Sequence, residues 1–121
     1  MSSTNLSISV KNNDDYVVVS LNGKIEDRYY NLFLKKLQDV LFLGHQNIFI
    51  DFSELQFISS LGIGAVMEAR NYTMGHGGKF ILIGLKNQIQ QVFDLIGLLK
   101  HLDVCATLDE AVSRIYPQTS V

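Results

Sequence analysis

Ile48-Phe49-Ile50-Asp51-Phe52 narrows the choice of fold more than any other stretch of this chain. Its apolar residues do not alternate with polar ones, so as a strand it is apolar on both faces and needs a cover on each. The flanking sequence supplies helices to do this. Upstream, Tyr30, Phe33, Leu34, Leu37, Val40 and Leu41 recur at three and four residues, with Lys35, Lys36, Gln38 and Asp39 on the other face. That spacing predicts a helix from about Arg28 to Leu43, stopped by Gly44. Downstream, a second helix is expected from about Ser60 to Met74, ended by Gly75 and the pair Gly77-Gly78. Lys79-Phe80-Ile81-Leu82-Ile83 reads as another buried strand. A third helix runs from Lys86 to Ile96 through Ile89, Val92, Phe93 and Ile96, with Gly97 as its stop. Leu102 to Cys105 makes a short edge strand. Thr107-Leu108-Asp109-Glu110 is a capping box that opens a last helix to about Tyr116, and Pro117 prevents its continuation.

The chain begins differently. Leu6, Ile8 and Val10 alternate with Ser7, Ser9 and Lys11, the period of a half-buried strand. Asn12-Asn13-Asp14-Asp15 supplies turn residues, and Tyr16-Val17-Val18-Val19-Ser20-Leu21 follows as a second strand rich in β-branched side chains, ended by Gly23. So short a connection makes an antiparallel hairpin. The order is β-β-α-β-α-β-α-β-α, an α/β fold with one mixed, mainly parallel sheet and four helices. With 121 residues, 47% hydrophobic, and no linker or internal repeat, the chain fits one domain over 1–121 with a core from about 5 to 116.

Several functional classes are disfavoured. A formal net charge of −2, with cations scattered apart from Lys35-Lys36, offers no nucleic-acid footprint. There is no run of about 18 apolar residues to cross a bilayer. Met1-Ser2-Ser3-Thr4-Asn5 lacks the features of a signal peptide, and the lone Cys105 excludes an internal disulfide and reads as a buried thiol. A cytoplasmic setting is expected from these features. Gly62-Ile63-Gly64 fails as a dinucleotide loop because Met67 stands where the third glycine belongs. Ser60-Leu61-Gly62 is half of a nucleophile elbow, with Ile58 in the place of the first glycine. His45, His76 and His101 fall in expected loops or helix ends, and no paired Cys or His spacing suggests a metal. No catalytic residue, cofactor or metal is expected.

The segment Asp51-Phe52-Ser53-Glu54-Leu55-Gln56-Phe57-Ile58-Ser59-Ser60-Leu61-Gly62-Ile63-Gly64 resembles the signature of the STAS domain, the fold of bacterial anti-sigma factor antagonists. That signature reads Asp-Leu-Ser, a short apolar loop, then Asp-Ser-Ser/Thr-Gly-Leu-Gly at a helix start. Gly23-Lys24-Ile25-Glu26, Gly77-Gly78-Lys79-Phe80 and Val92-Phe93-Asp94-Leu95-Ile96-Gly97-Leu98 resemble further family stretches, in the right order. The resemblance implies a regulatory binding module, not an enzyme. Its unphosphorylated form would bind an anti-sigma factor that is also a GHKL-type serine kinase. Phosphorylation would release that partner, and a metal-dependent serine phosphatase would reset the switch. The alternative is a constitutive STAS subunit of a scaffold or transporter-associated assembly, without phosphorylation.

Matching Gly62-Ile63-Gly64 to Gly-Leu-Gly places the phosphoacceptor at Ser60, with Ser59 as the alternative. Ser59 replaces the family's Asp, and Leu61 follows Ser60 where the family has Ser or Thr. The resemblance adds Glu26, Asp51, Ser59, Ser60, Leu61, Gly62 and Ile63 as partner-binding positions. Elementary chemistry offers blander roles for some. Ser59 or Ser60 can cap the helix, Asp51 can cap a loop, and Gly62 and Gly64 can admit close helix–sheet packing. Leu61, Ile63 and Met67 are core candidates, of which one or two would be exposed if they form a docking surface.

Overall fold

The computed structural model describes residues 5–116. Five strands, β1 (Leu6–Asn12), β2 (Val17–Ile25), β3 (Asn47–Ile58), β4 (Lys79–Ile83) and β5 (Asp103–Cys105), form one sheet whose spatial order is the chain order. β1 and β2 are antiparallel, and every later neighbour pair is parallel. The helices are α1 (Tyr30–Phe42), α2 (Ser60–Gly75), α3 (Asn87–Leu95) and α4 (Leu108–Ile115). Single 3₁₀ turns, Asp27–Tyr29 and Leu99–His101, precede α1 and β5. The expected α/β architecture is the one observed.

Topology decides which face each helix covers. Because the parallel strands follow one another in space as in sequence, each right-handed crossover lands on the same face. α1, α2 and α3 accordingly share one core with the sheet, built on Val19, Leu21, Phe33, Leu37, Ile50, Phe52, Val66, Leu82 and Phe93. α4, which follows the last strand, packs on the opposite face through Ala111 against Phe49, Ile81, Ile83 and Cys105. Tyr16 stacks on Phe49 there, with ring centroids 5.0 Å apart. Ile48-Phe49-Ile50 is buried by both layers, as its unbroken apolar character requires.

Three local expectations need correction. Gly23 does not end β2: it sits inside the strand at φ 110°, and the pairing shifts register just after it. A Cβ there would lie 1.9 Å from the Asn5 carbonyl oxygen, which accepts the Lys24 N–H at 2.6 Å. Residues 53–58 are not a loop; β3 continues through them, paired with β2 as far as Ile58. In α3 only Ile89 and Phe93 reach the core, while Val92 and Ile96 are 41% and 55% exposed. A helix of nine residues lying on a sheet presents a narrow face, and those two residues fall outside it. Thr107 caps α4 as expected, accepting the Glu110 N–H at 3.2 Å, while Pro117 lies outside the described residues.

Candidate functional site

The serine segment is positioned by an irregularity in β3. From Ile48 to Ile58 this strand advances ten residues while β2, from Val17 to Ile25, advances eight. Two bulges absorb the difference, one opposite the Ser20–Asn22 step and one opposite Gly23–Lys24. They explain why the buried residues Phe52, Leu55 and Ile58 recur at three instead of two. The first bulge also holds Asp51, whose Oδ1 accepts the Ser53 N–H at 2.9 Å. Asp51 pairs with Ser20 and Ile83 in mid-sheet, eight residues before Ser59. With the bulges absorbed, the span to Ile58 matches Ser20 to Ile25 of β2, roughly 17 Å at strand rise. The geometry thus separates Asp51 from the other candidate positions and gives it the local capping bond.

Beyond the last β2–β3 pair, Ile25 with Ile58, the two chains diverge into the site. Ser59 N–H donates to the Ile25 carbonyl at 2.8 Å, which brings half-buried Glu26 beside the serine segment. Ser59 is the N-cap of α2. Its backbone is extended (φ −77°, ψ 168°), its Oγ accepts the Gly62 N–H at 3.2 Å, and its carbonyl accepts the Ile63 N–H at 2.9 Å. Both of its polar ends are therefore committed to opening the helix. Ser60 is the first helical residue. It is exposed, and among the described residues its hydroxyl makes no hydrogen bond. Sequence alone left the capping role open between the two serines; the strand pairing gives it to Ser59.

The remaining candidates divide by burial. Gly62 and Ile63 are buried, and a Cβ on Gly62 would lie 2.8 Å from Ile58 Cγ1 and 2.9 Å from Ile25 Cγ2. Gly62 therefore lets α2 approach the ends of β2 and β3. Gly64 does not share that role, because nothing lies within 4 Å of where its Cβ would stand. Ile63 is core and Met67 packs half-buried against it, whereas Leu61 is 48% exposed. Phe57, 47% exposed, adds a second apolar side chain at the mouth of the helix. Phe57 lies inside the Asp51–Gly64 stretch but was not among the expected partner-binding positions. Its signal was a position outside the Phe52, Leu55, Ile58 row.

Next to these residues Lys24, Glu26, Gln56, Phe57, Lys86 and Gln88 line a shallow depression of about 600 Å³. Glu26 is paired with Arg28 at 3.1 Å across an exposed contact. Lys24 and Lys86 place two cations in this depression with Glu26 and Phe57, and neither was among the expected site residues. The other chemically notable groups lie elsewhere. Cys105 is buried under α4, and burial pushes its thiol pKa up. His76 stacks on Tyr72 and sits with Nδ1 2.8 Å from the Tyr72 carbonyl. No group of three or more metal-ligating side chains occurs among the described residues, and no helix is long and apolar enough to cross a membrane.

The fold that carries this arrangement has known counterparts. The family model for the STAS domain matches residues 7–111. The chain belongs to the STAS domain family. A Thermotoga maritima protein named as a candidate anti-sigma factor antagonist is 25% identical over 103 residues, covering 84% of this chain and 91% of the relative. A crystal structure of a Thermotoga maritima protein named in the same way, 25% identical, superposes with a TM-score of 0.84 over 89% of this chain and 93% of that one. An anti-sigma factor antagonist from Mycobacterium paratuberculosis, 22% identical, gives a TM-score of 0.84 over 95% and 98% of the two chains. The Bacillus cell fate determinant SpoIIAA in its phosphorylated form, 24% identical, gives 0.71 over 91% and 100%. The last two comparisons show that the STAS fold is shared.

Proposed function

We propose that this STAS domain is a partner-switching module whose phosphoacceptor is Ser60. The observation that carries this reading is the division of labour between the two serines. The Ser59 hydroxyl is bonded to the helix it caps, while the Ser60 hydroxyl is exposed with no partner among the described residues. A kinase can take Ser60 without dismantling the helix start. The partner is an anti-sigma factor with GHKL-type serine kinase activity, in keeping with the names of the relatives and with a non-enzymatic role. A metal-dependent serine phosphatase completes the cycle, in a cytoplasmic setting.

The physics of the site fits such a switch. A phosphate on Ser60 brings about −1.5 to −2 charges and three acceptor oxygens to the positive end of the α2 dipole. The isolated domain tolerates that charge. A partner seated on Phe57 and Leu61 would bury it unmatched, at several kcal/mol. With a tenfold change in affinity for each ~1.4 kcal/mol, binding falls roughly a hundredfold or more. Glu26, Ser59 and Leu61 belong to the contact surface, while Gly62 and Ile63 act from below by holding the helix in place. The test is incubation with the cognate kinase and ATP, followed by mapping of the product by mass spectrometry. Phosphate on Ser60 that vanishes in Ser60→Ala and persists in Ser59→Ala is expected. An unmodified wild type, or modification unchanged in the double alanine variant, would refute it.

Ser59 in the place of an acid, and Leu61 after the acceptor, favour a second reading as a constitutive scaffold or transporter-associated subunit. A partner recovered equally by wild type and Ser60→Asp would support that one.

A further inference from the structure

The outer edge of β1 bears no partner among the described residues, and its hydrogen-bonding pattern can be read from the β1–β2 ladder. Lys24 N–H donates to the Asn5 carbonyl and Asn13 N–H to the Tyr16 carbonyl. Both bonds fall on the register that pairs Ser7 with Asn22, Ser9 with Ser20 and Lys11 with Val18. Since bonded and non-bonded pairs alternate, the odd-numbered residues face β2 and Leu6, Ile8, Val10 and Asn12 turn their backbone N–H and C=O groups outward. Natural edges are blunted by lysines, proline, bulges or inward charges; β1 carries a single lysine, Lys11, at its far end, and no proline, bulge or inward charge.

We infer that β1 is a homodimer interface, pairing antiparallel with β1 of a second copy about a twofold axis at Ser9. Ser9 is the midpoint of Leu6–Asn12, so this register overlaps the whole strand. It sets Ile8 opposite Val10 and Leu6 opposite Asn12 of the second copy, which are the pairs whose outward groups can bond. Apolar side chains then meet on the helix-bearing face, and Ser9 meets its own copy on the other. Lys11 meets Ser7, so no like charges are opposed.

α1 supports the same occupant. It packs on β1 and β2, and Leu34, Leu41 and Phe42 line its groove toward α2. At about 100° per residue, Leu32 and Leu43 fall on the opposite flank, toward β1. They are 49% and 52% exposed, and Val10 of β1 is 37% exposed. A twofold at Ser9 turns this flank and Val10 toward their own copies. The inference does not depend on the serine switch, since β1 takes no part in that site.

Sedimentation of the full chain as a function of concentration should show twice the monomer mass, and Val10→Pro should lose it. The Val10 N–H points away from β2, so proline removes an outward donor and spares the hairpin ladder. Should that variant fold poorly, Ser9→Cys tests the register directly. Opposed Cα atoms of such a non-bonded pair lie about 4.5 Å apart, within disulfide reach. Mild oxidation should give a covalent dimer from Ser9→Cys and none from Ser7→Cys, with the native thiol, Cys105, buried in both. A wild type that stays monomeric at every concentration overturns the inference. So does a dimer without the Ser9 cross-link, and either result leaves the edge to a strand of another protein.

Discussion

Replacing Ser59 by alanine removes the oxygen that accepts the Gly62 N–H at 3.2 Å and leaves a donor of the first turn of α2 without its cap. Loss of an N-cap serine costs about 0.5–2 kcal/mol. The bond is at the long end of the normal range, so about 1 kcal/mol is the fitting figure. Ser60→Ala removes a hydroxyl with no partner among the described residues and puts a better helix former at an exposed position, so its effect should stay within about 0.5 kcal/mol. The two variants should therefore differ by roughly 1 kcal/mol in urea unfolding, or about 4 °C in midpoint temperature. Their order should reverse in a phosphorylation assay, where Ser60→Ala is the inactive one. Equal destabilisation, or Ser60→Ala as the weaker fold, would show that the capping geometry has been given to the wrong serine.

Three further outcomes follow from the packing. Phe93 is fully buried and meets Phe52 edge-on with centroids 6.1 Å apart, so Phe93→Ala should cost about 3–5 kcal/mol in denaturant unfolding. Gly62→Ala forces a methyl against Ile25 and Ile58 and should destabilise by about 1–3 kcal/mol, less the helix gain, whereas Gly64→Ala meets open space and should stabilise by up to about 1 kcal/mol. Circular-dichroism melts of the pair would refute this account of α2 if both moved the same way. Cys105 should resist thiol reagents at pH 8 until the protein is unfolded, because burial holds its pKa up and keeps the thiol neutral. With the folded value raised, its contribution to stability is present below the unfolded thiol pKa and is lost as pH rises through the folded one. A melting temperature that climbed across that alkaline window would contradict it.

The order of elements was legible because two periodicities alternate cleanly. Ile48-Phe49-Ile50 and Phe80-Ile81-Leu82-Ile83 have no polar face, and α1 keeps its row of Phe33, Leu37 and Val40. What sequence concealed was governed by neighbours in space. Phe52, Leu55 and Ile58 have a spacing that matches no strand, so the bulged half of β3 reads as loop until β2 is laid beside it. Val92 and Ile96 have the right helical spacing for a core, but nothing in them records how narrow a face α3 offers to the sheet. Ser59 and Ser60 are equivalent as capping residues on paper. The Ile25 carbonyl, thirty-four positions upstream, fixes which of them opens the helix. The resemblance to STAS domains supplied the candidate acceptor, which local chemistry alone could not have singled out.

The paired bulges of β3 also bear on how this stretch can change in length. Each extra residue is absorbed where it stands, so the pairs beyond it keep their facing, Leu55 beside Gly23 and Ile58 beside Ile25. Losing the extra residue at either bulge would make the ladder regular there and leave the Ile25–Ile58 pair, and with it the serines, in place. Losing a residue from the regularly paired stretch Ile48–Asp51 has no such slack and would turn every following side chain to the other face. Length changes in β3 should therefore fall at the bulges, which act as the tolerance of the strand.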